Sequence, residues 1–117
     1  MNAHTKKLLL DVVEAGRSIQ VRCAGRSFGE YEADRWFRRT VEREFEIIAE
    51  ALNRLSQSDP DAAATFSALP RIVAFRNRLI HAYDAVDDAT VWGVVESHLP
   101  VLLNEIDELV RREGETL

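Results

Sequence analysis

An all-α fold, an up-and-down helical bundle of three long helices and shorter ones, is what the sequence predicts. Three observations predict it. Apolar residues recur at steps of three and four, the helical period, while the two-residue alternation of strands is absent. Glycine and proline are scarce, at five and three among 117 residues, so little interrupts long helices. No repeat or low-complexity stretch divides the chain, and its length suits a single domain over 1–117 with one core.

The first helix is expected from about Thr5 to Cys23, with Thr5 as N-cap. Leu8, Leu9, Val12, Val13, Ile19 and Cys23 form its stripe, and Gly16 costs it about 1 kcal/mol relative to alanine. Gly25 to Gly29 reads as a loop. A long second helix follows from about Tyr31 to Leu55, striped by Phe37, Val41, Phe45, Ile48, Leu52 and Leu55. Trp36 lies beside that stripe and reads as core or interface packing, with ligand stacking as the alternative. Asp59 as N-cap, with Pro60 at the first helical position, opens a short third helix to about Leu69. Pro70 breaks or restarts the chain, and a fourth helix runs from about Arg71 to His81. YDAVDDAT is a connector in which Asp87 or Asp88 caps the next helix. The last helix covers about Ala89 to Arg112, with Pro100 kinking it.

Composition narrows the function classes. Hydrophobic residues are 46% and charged residues 30%, a globular balance. Apolar runs of only a few residues give no membrane span, and the aspartate after Leu8-Leu9-Leu10 cuts short any secretory leader. The single cysteine, Cys23, excludes an intrachain disulfide and a cysteine-based zinc site. A cytoplasmic protein is expected. The net charge of −5 argues against a protein that coats nucleic acid. That charge is uneven, however. Residues 62–83 carry three arginines and no acid, whereas residues 84–117 carry nine acids and two arginines. A short basic island thus precedes an acidic C-terminal third.

The island contains the informative constellation. On a helical wheel, Ile72, Val73, Phe75, Leu79 and Ile80 form an apolar arc, and Arg76 falls inside it, about 40° from Ile72. A guanidinium there needs a partner. Glu50 is a candidate; otherwise the arc faces a cleft or a second subunit. Asn77 and His81 lie on a neighbouring side, about 40° apart. Arg76 and His81 share no face of a straight helix, but they converge if the helix ends near His81 or if two copies meet across an axis. Such residues suit phosphodiester cleavage. A histidine transfers protons near neutral pH, and an arginine holds phosphate and stabilises charge on its oxygens. RNA supplies its own nucleophile, the 2′-hydroxyl, so no metal and no cofactor is required. Asp84, Asp87 and Asp88 match no metal-loop spacing, and helix capping accounts for them. Spacing alone leaves a structural alternative open: Arg76 in an internal ion pair, His81 capping the helix, Tyr83 packing the next turn. His4 and His98 have no companions that mark them as more than surface or core residues.

The segment Arg76-Asn77-Arg78-Leu79-Ile80-His81-Ala82-Tyr83 resembles the Arg-x4-His-x-Tyr motif of HepT-like toxins of the HEPN superfamily. IIAEAL at 47–52 resembles the family's second-helix segment, which usually has glycine at the position of Ala49. LPRIVAFRNRLIHAYDAVDDATVW at 69–92 resembles its most recognisable stretch, and HLPVLL at 98–103 fits its internal proline. The resemblance implies a helical bundle that forms a homodimer, with two motifs facing each other across one composite RNase site. Carried onto this chain, it makes Arg76 and His81 catalytic, Asn77 a polar assistant and Tyr83 a modified residue lining the cleft, with Glu50 and Arg78 in support. It further implies a type VII-like toxin–antitoxin pair. The cognate antitoxin would be a minimal nucleotidyltransferase of the MntA type, which transfers AMP from ATP to the tyrosine. A bulky, negatively charged AMP there would block entry of an RNA phosphate. Two functions are therefore expected in competition: a metal-independent endoribonuclease toxin, or a non-catalytic nucleotide- or partner-binding subunit of a nucleotidyltransferase complex.

Overall fold

A computed structural model describes residues 1–81 and 87–117, and within these it leaves out the side chains of residues 78–81. The described chain is helical throughout, without a strand: α1 (Ala3–Cys23), α2 (Phe28–Ala33), α3 (Arg35–Ser58), α4 (Pro60–Ala63), α5 (Leu69–His81), α6 (Asp88–Ser97) and α7 (Leu99–Arg112). The all-α expectation therefore holds among the described residues.

Local chemistry moves several boundaries. α1 starts earlier than expected because Asn2, not Thr5, is its cap: the Thr5 amide donates to Asn2 Oδ1 at 2.8 Å. Thr5 is instead buried, and its hydroxyl donates to Asp59 Oδ2 at 2.9 Å. The stretch expected as a loop after α1 holds the start of α2. There Ser27 and Glu30 form a capping box, each side chain accepting the other's backbone N–H. Only Gly25 keeps a turn geometry, at φ 71°, just past the end of α1.

The expected long second helix is two helices. Asp34 ends α2 and caps α3 with extended backbone, and its carboxylate accepts from the Phe37 amide at 3.1 Å. The break swings Tyr31 into an aromatic cluster. Its ring centre lies 5.3 Å from Phe37 and 5.2 Å from Trp92, and Phe28 stands 6.5 Å from Trp92. The Arg26 guanidinium covers the Phe37 ring at 4.4 Å. The Tyr31 hydroxyl is buried and has no hydrogen-bond partner among the described residues.

Asp59 caps α4 as expected, accepting from Ala62 N at 3.2 Å, but α4 stops at Ala63. Pro70 restarts the chain rather than breaking it. It sits in the first turn of α5, where no N–H is needed. Asp87 caps α6 through the Ala89 amide at 3.0 Å. The last expected helix divides at His98. Its backbone stays helical there and Leu102 N still donates to His98 O at 3.0 Å, so the proline kink becomes a joint between α6 and α7. α7 ends in a Schellman turn, with Glu115 N on Val110 O at 2.9 Å and Gly114 at φ 67°.

α3 is central and packs on α1, α2, α4 and α5, while α7 closes on α1 and α6. Leu9, Val12 and Ile19 of α1 meet Val41, Phe45, Ile48, Leu52 and Leu55 of α3. Ile72 and Phe75 of α5 and Leu99, Leu102 and Ile106 of α7 complete that core. Gly16 lets α7 come close, since a Cβ there would lie 2.9 Å from Leu103 Cδ2. Of the readings expected for Trp36, packing in the core is not met: it is 82% exposed and takes no part in the core. The shortest dimension, 19 Å, corresponds to two layers of helix.

Candidate active site

α5 is anchored to α3 through its apolar side. Ile72 and Phe75 are buried, and the Phe75 ring meets Phe45 edge-on at 5.7 Å and 82°. Arg76 lies one turn beyond Ile72 on that side, so its guanidinium emerges at the rim of the α3–α5 seam. It is not buried; its side chain keeps 28% of its exposure.

Arg76 Nη2 stands 3.0 Å from Glu50 Oε2. The other carboxylate oxygen, Oε1, accepts from Arg54 Nε at 2.9 Å. One carboxylate therefore holds two guanidiniums, one from α5 and one from its own helix. The Arg54 hydrogen bond is the main reason the Glu50 carboxyl stays below the ordinary range. Desolvation opposes it, and the charges of Arg76 and Arg54 add to the lowering. In so exposed a setting the pair contributes at most about 1 kcal/mol to stability.

The expected partnership of Arg76 with Glu50 is thus present as geometry. Arg54 was not anticipated, although its i,i+4 spacing from Glu50 was the signal that could have found it. Asn77 is exposed on the following position of α5. His81 closes α5, but its side chain and that of Arg78 lie outside the described residues, as do Tyr83 and Asp84 altogether. Asp87 acts as a cap, and Asp88 lies 4.0 Å from Arg38. Among the described residues no three His, Cys, Asp or Glu side chains gather as a metal site. His98, expected without companions, has Arg71 Nη1 3.4 Å from its Nε2. No described helix is long and apolar enough to cross a membrane.

Residues 12–109 match the Ribonuclease HepT-like family, a span that takes in all of α5. The chain belongs to that family. Relatives of this HepT-like chain include two candidate RNases of Methanocaldococcus jannaschii. One is 26% identical over 94% of this chain and 91% of its own. The other is 27% identical over 87% of this chain and 93% of its own. A candidate RNase of Caldanaerobacter subterraneus subsp. tengcongensis is 29% identical over 79% of this chain and 81% of its own. No solved structure matches the HepT-like chain.

Proposed function

We propose that this chain is a metal-independent endoribonuclease, the toxin of a type VII-like toxin–antitoxin pair, acting as a homodimer. The observation that carries this reading is Arg76 itself. In a chain of the HepT-like family, a guanidinium stands at the rim of the α3–α5 seam, held by a shared carboxylate rather than buried. From there it is available to a phosphate. RNase names among the relatives support RNA as the substrate.

In the proposed reaction the 2′-oxygen attacks the adjacent phosphorus and the P–O5′ bond breaks. The products are a 2′,3′-cyclic phosphate and a free 5′-hydroxyl. The His81 imidazole takes the 2′ proton, and an imidazolium returns one to the leaving 5′-oxygen. Arg76 compensates charge on the phosphate oxygens, Glu50 and Arg78 support it, and Asn77 assists as a polar contact. Inactivation follows when a nucleotidyltransferase joins the Tyr83 oxygen to the α-phosphorus of ATP. The phenolic proton is lost and pyrophosphate departs.

The test is cleavage of single-stranded RNA by unmodified protein in EDTA. The expected products carry cyclic phosphate ends, and His81→Ala and Arg76→Ala lower the rate by roughly 100-fold or more. Undiminished cleavage by the His81 variant would remove the catalytic assignment. Binding of nucleotide without any cleavage would favour the non-catalytic subunit. Co-expression with the nucleotidyltransferase should add mass in AMP-sized steps, and Tyr83→Phe should abolish them.

A further inference from the structure

The first turns of α3 carry a feature that the cleavage chemistry does not use. Trp36 is 82% exposed, an unusual position for the largest side chain. Arg35 and Arg39 flank it, and the three line one shallow cavity. Other arginines of this helix are engaged: Arg38 with Asp88 and Arg43 with Glu46. Arg35 and Arg39 have no ion-pair partner among the described residues, although Glu42 lies near enough to feel the Arg39 charge.

This patch is in line with the candidate active site. On the helical wheel Trp36, Arg39, Arg43 and Glu50 fall within an arc of about 60°. Fourteen residues separate Trp36 from Glu50, about 21 Å along the axis. One stripe of α3, exposed at Trp36, Arg39 and Arg43 and half-buried at Ile47 and Glu50, therefore runs from the indole to the carboxylate that holds Arg76.

We infer that this stripe is an accessory subsite for single-stranded RNA, in which Trp36 stacks a base and Arg35 and Arg39 hold the flanking phosphates. The inference rests on the proposed RNA substrate. Every base has a π-face, so an exposed indole captures single strands with little regard to sequence, and neighbouring guanidiniums supply the charge. Charge also argues against a second copy as the occupant. A two-fold contact centred on Trp36 would press Arg35 and Arg39 against the same arginines of the other chain. A polyanion answers both features of the patch.

The experiment measures affinity for a fluorescein-labelled 12-nucleotide RNA by anisotropy, in a His81→Ala background that leaves the RNA whole. Trp36→Ala is expected to weaken binding roughly five-fold or more, the effect of losing one base–aromatic stack. Trp36→Phe should keep most of the affinity. Arg39→Gln should weaken binding and flatten its log–log salt dependence by about 0.7. With His81 restored, Trp36→Ala should raise KM for the 12-mer and leave cleavage of a dinucleotide unchanged, because a dinucleotide cannot reach the indole. Trp36-dependent binding in a protein that cleaves nothing would keep the subsite and overturn the catalytic reading. Unchanged affinity and KM in an active Trp36→Ala enzyme would overturn the subsite alone. Weakened self-association with intact RNA affinity would assign the patch to a second copy and overturn the subsite. No RNA binding at all would overturn both.

Discussion

Glu42 shows how a single side chain registers its place in this fold. It sits half-covered on α3, and burial pushes its carboxyl above the ordinary range. Asp88 and Glu46 add to the rise, and Arg39 and Arg38 oppose it. A raised carboxyl binds its proton more tightly folded than unfolded. Ionised Glu42 therefore subtracts from stability, a loss that sets in as pH climbs through the unfolded value and is complete above the folded one. Glu42→Gln should raise the melting temperature at pH 7, and the gain should vanish below about pH 4. Solvent screening keeps the effect within about 0.5 kcal/mol. A gain that persists in acid would show that the carboxyl charge is not its source. Trp36 and Arg76 mark the limits of sequence at this scale. Arg76 was legible because an arginine on an apolar arc must find an anion, and Glu50 was the anion named. Trp36 was legible only in part, because neighbouring a buried stripe does not settle which side of a helix rim an indole takes.

Among elements, the joint between α3 and α4 bears the most. Asp59 Oδ1 caps α4 through Ala62 N, and Oδ2 takes the Thr5 hydroxyl from the first turn of α1. One carboxylate thereby ties segments 54 residues apart. Asp59→Ala should cost about 2–4 kcal/mol in urea unfolding, because the cap is lost and a buried hydroxyl is stranded. Adding Thr5→Val should recover part of that loss, and strictly additive costs would mean the two groups are not coupled. The Asp59-Pro60 signal made this joint readable in advance. Asp34 was harder. It lies among charged residues with no glycine or proline beside it, so it looks like the wet face of a continuing helix. Only the packing of Tyr31 on Phe37 and Trp92 reveals that the chain turns there. Pro70 left two readings open, since proline in a first turn is as compatible with a helix as proline after its end is with a stop, and the restart is the one found.

For the whole molecule, the governing property is a scarcity of uncommitted positive charge. The chain carries −5 overall, and several of its arginines are already engaged by carboxylates. Binding of RNA should therefore involve few phosphate contacts. Affinity is expected to fall steadily between 50 and 200 mM salt, with a log–log slope near −2, as for about three neutralised phosphates on a single strand. Titration at four salt concentrations checks this, and salt-insensitive binding would contradict it. Helical architecture was legible because periodicity is a local signal. The relation of His81 and Tyr83 to Arg76 was not, because spacing along a chain does not by itself fix which side chains converge. The divided grip of Glu50 has a last consequence. If Arg76 swings toward a phosphate, Arg54 still holds the carboxylate it leaves. No anion is stranded, so the guanidinium trades one oxyanion for another at nearly level free energy. Arg76 would then behave less as a fixed clamp than as a cation on loan, recoverable by Glu50 each time product departs.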